Sequence, residues 1–62
     1  MDEHTRALWD GLAATQKKEV NDIFKNSVLP FGHIVRFYCS CDCDKDNTVK
    51  EIEKYLNRNK EG

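Results

Sequence analysis

H-I-V-R-F-Y-C-S-C, residues 33–41, is the stretch whose conformation decides the fold of this chain. It is rich in β-branched and aromatic side chains, which suit a pleated, half-buried surface, and that composition predicts a strand. On a strand, Val35, Phe37, Cys39 and Cys41 point to one side, and Ile34, Arg36, Tyr38 and Ser40 to the other. A lone strand carries a row of backbone donors and acceptors that must be paired. With no second strand evident, the expected mate lies on another molecule. One arrangement is a homodimer whose copies pair residues 33–41 antiparallel across a two-fold axis. Another adds the strand to the sheet edge of a different protein. An intrachain mate from residues 27–31 or 2–5 is the third. Ile34, Phe37 and Tyr38 become the candidate partner-binding residues.

Helical patterns flank this segment. Residues from about 5 to 26 place Leu8, Trp9, Leu12, Ala13, Val20, Ile23 and Phe24 on one face at 3.6-residue periodicity. Gly11 costs such a helix about 1 kcal/mol relative to Ala and marks a place for a break or kink. Asn26-Ser27, Pro30 and Gly32 form the connector. Further on, Thr48 and Glu51 have capping-box spacing. Val49, Ile52, Tyr55 and Leu56 then continue a helix to about residue 59. The predicted class is therefore α+β, one small helix–strand–helix domain spanning residues 1–62, its strand paired across a homodimer.

Composition narrows the function. Sixty-two residues bury only about 60% of the surface their unfolded chain exposes, so a metal, a disulfide or a second subunit is a natural aid to stability. Charged residues make up 34% of the chain and nearly cancel, leaving a formal net charge of −1 and no global field for nucleic acid or an anionic membrane. The apolar runs are far too short to span a bilayer or form a signal-peptide core, and the start M-D-E-H-T-R is acidic and polar. A cytosolic protein with reduced thiols and no membrane partner is expected. Three cysteines cannot all pair within the chain. His4 and His33 stand in no recognisable triad order and there is no glycine-rich phosphate loop, so no enzyme is expected.

Residues 39–53, C-S-C-D-C-D-K-D-N-T-V-K-E-I-E, concentrate the liganding groups. Asp42, Asp44 and Asp46 alternate, Val49 follows, and Glu53 closes the run. This spacing resembles the EF-hand calcium loop, with the three aspartates at positions one, three and five, Val49 at eight and Glu53 at twelve. The resemblance covers about a third of the chain and implies a helix before the loop. Asn47 stands where that family has Gly, and Lys50 where an oxygen or water is usual. The same letters also spell an acidic turn feeding a capped helix. Cys39, Cys41 and Cys43 are candidate ligands for zinc, which six thiols near a dimer axis could share, or they are small buried apolar residues. No cofactor is expected unless calcium or zinc binds here.

A basic stripe completes the inventory. Lys50, Lys54 and Arg58 follow at four-residue spacing, and Arg36 with Phe37, Tyr38 and His33 can add a cation and stacking faces, giving candidate RNA- or DNA-binding residues. Lysines and arginines on an exposed helix face are also commonplace. Trp9 and Tyr55 are candidate interface anchors, although Trp9 lies on the apolar helix face. The expected role is a small non-catalytic regulatory or adaptor protein acting on a macromolecular partner. A host protein leads, with RNA or DNA second and a calcium- or zinc-binding module third. Size and composition are compatible with a phage-encoded modulator of host machinery.

Overall fold

The structure is a computed structural model and describes the backbone of residues 2–61 and the side chains of residues 2–58. It is all-helical. Helix α1 spans Glu3–Asp10, α2 spans Ala14–Lys25, α3 spans Phe31–Ser40 and α4 spans Lys45–Glu61. No strand occurs among the described residues. This corrects the α+β expectation at its foundation, because residues 33–40 lie in α3.

Periodicity explains the correction. Phe31, Ile34, Val35 and Tyr38 recur at i, i+3, i+4 and i+7, so one stripe of a helix collects all four. Ile34, Val35 and Tyr38 are completely buried. β-Branched and aromatic residues lower helix propensity by roughly half a kcal/mol each. Burying each of these side chains contributes about 1.5–3 kcal/mol. Burial wins, and α3 becomes the hub that packs against α1, α2 and α4. A helix satisfies its backbone internally, so the unpaired strand edge that argued for a two-fold dimer does not exist.

The N-terminal pattern resolves into two helices. The Asp2 carboxylate caps α1 by accepting from the Thr5 amide at 2.8 Å. That hydrogen bonding holds the Asp2 carboxyl below its ordinary range. At Gly11 the chain leaves the helix and turns Leu12 into the core. Helix α2 restarts after Ala13, whose amide donates to Gln16 Oε1 at 2.8 Å. Ala13 has no side-chain oxygen to return the bond, so only half a capping box forms. Ser27 Oγ accepts from the Leu29 amide at 3.1 Å and shapes the turn that buries Leu29 ahead of α3.

The core joins Leu12, Val20, Ile23, Leu29, Ile34, Val35, Tyr38 and Ile52. Trp9 is half-buried and packs edge-on against Phe31 at 5.1 Å between ring centroids, with Lys17 Nζ 5.6 Å from the Trp9 ring. Trp9 thus belongs to the helix packing. At the edge of the core the Tyr38 hydroxyl donates to Glu19 Oε2 at 2.7 Å, tying α3 to α2.

Burial, reinforced by the Glu19 carboxylate, raises the Tyr38 phenol well above its ordinary value. Unfolding releases a tyrosine that ionises near pH 10. The stabilisation is therefore complete below about pH 10 and is lost as pH rises beyond it. Tyr38→Phe is expected to cost about 1.5–3 kcal/mol in urea unfolding, because Glu19 loses its donor. Above about pH 10 the stability of the variant in urea unfolding should fall less steeply with pH than that of the wild type. Equal slopes for the two proteins would place the alkaline sensitivity elsewhere.

Candidate functional site

Helix α4 organises the molecular surface, because one of its faces is buried and each flank meets a different neighbour. Thr48 and Ile52 are buried, and Leu56 is half-buried. The Thr48 hydroxyl donates to the Asp44 carbonyl at 2.6 Å. Thr48 is therefore not the cap that its spacing to Glu51 predicts, since the helix begins three residues earlier. The cap is Asp44, whose Oδ1 accepts from the amides of Asp46 at 2.9 Å and Asn47 at 3.4 Å.

The turn before α4 closes α3. The Cys43 amide donates to the Tyr38 carbonyl at 2.9 Å, the long bond of a Schellman-type stop. Asp42 (φ 57°) and Cys43 (φ 55°) are both left-handed there. Non-glycine residues pay roughly 1–2 kcal/mol each for that region, so the turn is held by its surroundings. Cys39, Cys41 and Cys43 are free and half-buried, and Cys39 and Cys43 pack against the core. Burial raises the Cys39 and Cys41 thiols. The predicted calcium-loop residues are spread across different settings: Asp42 in the left-handed turn, Asp44 as cap, Asp46 and Glu53 on α4. A helix does precede this segment, as the resemblance implies, but residues 45–53 are helical rather than a ligand loop. Among the described residues no three His, Cys, Asp or Glu side chains gather as a metal ion would require.

On the flank toward α2, an open groove of about 240 Å³ runs between the end of α2 and α4. Ile23, Ile52 and Leu56 form its floor, and Val28 and Val49 its walls. Asp22 and Glu53 stand on the rim with Lys45, Asn26 and Ser27. Val28 is 85% exposed and Val49 37%. No signal in the sequence single out Val28, which follows a helix end and reads as a connector residue.

The flank toward α3 has the opposite character. Tyr55 touches Phe37 edge-on at 5.6 Å and lies 6.4 Å from the His33 ring. A shallow groove of about 270 Å³ follows His33, Arg36, Phe37 and Ser40 along α3. A second, of about 300 Å³, shares Ser40 and is lined by Lys50, Glu51 and Lys54 of α4. The candidate nucleic-acid residues Arg36, Lys50, Lys54 and Arg58 are all exposed. Of the candidate partner-binding residues, Phe37 remains half-exposed, whereas Ile34 and Tyr38 are sealed in the core and present nothing to a partner.

The chain matches no family model, no curated protein and no solved structure. No helix among the described residues is long and apolar enough to cross a membrane.

The cap and metal roles of Asp44 separate by substitution. Asp44→Ala is expected to destabilise the fold by about 1 kcal/mol, whereas Asp44→Asn keeps a capping oxygen and should be nearly neutral. Millimolar calcium should leave the circular dichroism spectrum of the wild type unchanged. A large calcium response abolished by Glu53→Gln, which leaves the cap intact, would instead make these carboxylates ion ligands.

Proposed function

We propose that this chain is a small non-catalytic adaptor that binds another protein through the groove between α2 and α4. The observation that carries this reading is an open apolar channel walled by Val28 and Val49 on a chain that is one-third charged. Such a chain has ample polar residues to cover its surface, and concave apolar sites with a few polar groups at the rim are where ligands bind. The channel suits a partner segment with aliphatic anchors, laid down as a helix or extended chain. Asp22 and Glu53 outnumber Lys45 on the rim, which favours a basic residue beside those anchors.

The reading places the macromolecular partner on a different surface from the one that a strand edge implies. Regulation of a host protein, by a phage-encoded chain or otherwise, is one use of such an adaptor and rests on size and composition alone.

Affinity capture with the wild-type chain tests the proposal when run beside Val28→Glu and Val49→Glu, both exposed enough to leave the core undisturbed. Each variant is expected to weaken retention of the specific partner about tenfold or more, equivalent to about 1.4 kcal/mol. Nuclease treatment should make no difference. Partners retained equally by both variants would remove the groove from the account.

A further inference from the structure

Cys39 and Cys43 stand four residues apart at the end of α3, and the backbone brings them to one side. Helical residues at i and i+4 stack about 6 Å apart along the axis. That lies inside the roughly 4.4–6.8 Å between α-carbons that a disulfide spans. Cys43 lies just past the helix, but the 2.9 Å bond from its amide to the Tyr38 carbonyl folds it back onto the last turn. Both side chains pack against the same core cluster. Burial raises the Cys39 thiol, and the neighbouring Cys43 adds to the effect. Cys41 is placed differently. It sits about 200° around the helix from Cys39 and lines the shallow α3–α4 groove with Lys50 and Glu51.

We propose that Cys39 and Cys43 form a reversible dithiol–disulfide site at the α3–α4 turn, closed by a small-molecule disulfide of the glutathione class. The site needs no partner and no part of the α2–α4 groove. One protein thiol, as its thiolate, attacks a sulfur of the small disulfide, and a glutathione thiolate leaves and takes up a proton. The second protein thiol gives its proton to water, attacks the protein sulfur of the mixed disulfide and expels the second glutathione. Two protein thiols are thereby oxidised to one S–S bond, and one glutathione disulfide is reduced to two thiols. A dithiol reductant reverses both steps.

Folding and bridging favour each other by the same factor, because the two equilibria close a thermodynamic cycle. An unfolded chain can also join residues four apart, but it holds those thiols together only transiently. The folded turn keeps them side by side. Asp42 and Cys43 are both left-handed there, a region that non-glycine residues visit seldom, so the bridge acts where the backbone is costliest to hold. A thiol raised by burial is mostly protonated at neutral pH, which slows exchange. Equilibrium is therefore the informative readout.

Cys41→Ser leaves only the proposed pair. Its equilibration with reduced and oxidised glutathione, read by free-thiol titration and intact mass, tests the site. A monomer lighter by two hydrogens and without free thiols is expected. The equilibrium constant for closure should be at least about tenfold larger in the native state than in concentrated urea, equivalent to about 1.4 kcal/mol. Cys39→Ser, which leaves Cys41 and Cys43, should close about tenfold less readily than Cys41→Ser in the native state. Circular dichroism of the reduced variants checks helicity, and Cys41→Ala provides the same pair if serine disturbs the turn. An equal constant in urea, accumulation of mixed disulfides with glutathione, disulfide-linked dimers, or equal closure by Cys39→Ser would each overturn the proposal.

Discussion

The burial of one stripe of α3, Ile34, Val35 and Tyr38, is the constraint on which the rest of the architecture depends, and it obliges the Tyr38 phenol to find an acceptor. Leaving the hydroxyl unpaired would cost about 1–3 kcal/mol, a large share of the stability a domain of this size can have. Glu19 meets that demand across the interface between α2 and α3. The contact fits the rotation of α3 that burial of Ile34, Val35 and Tyr38 sets. That rotation sends His33, Arg36 and Phe37 to the opposite side, where they meet Tyr55 of α4. The part-buried hydrogen bond and the composition of the outer face are thus two results of one helix orientation.

The same logic divides the surface. Helix α4 is held by Thr48, Ile52 and Leu56, which leaves two flanks of unlike chemistry. Toward α2, residues left partly uncovered by a short helix end and a turn create an apolar channel whose rim carries Asp22, Glu53 and Lys45. Toward α3, cations and aromatic edges share a shallow surface. An apolar channel and a polar surface carrying both charge signs thus lie on opposite sides of one helix. The cysteines, by contrast, are half-buried at the junction between α3 and α4, where small apolar side chains support the turn.

Much of this was legible in the residues, and the failures have definite causes. The periodicity of α2 and α4 and the disruptive effect of Gly11 are visible directly. The acidic run does serve as a turn feeding a capped helix, although Asp44 is the cap and Thr48 is buried. Residues 33–41 mislead because β-branched and aromatic composition is shared by strands and by the most buried helix of a small bundle. The discriminating signal was the spacing of Phe31, Ile34, Val35 and Tyr38, which becomes apparent when Phe31 is counted with the segment rather than with the preceding turn. The Glu19–Tyr38 bond joins residues too far apart in sequence for local patterns to reveal. The α2–α4 groove has the same origin: Val28 and Val49 line it together although α3 separates them in sequence.

Backbone chemical shifts with amide hydrogen exchange across residues 33–41 test the central claim most directly. The account predicts helical carbon shifts from Phe31 to Ser40, with the amides around Ile34, Val35 and Tyr38 among the slowest to exchange at any protein concentration. Extended-chain shifts in that segment, or protection that appears only when molecules associate, would contradict it.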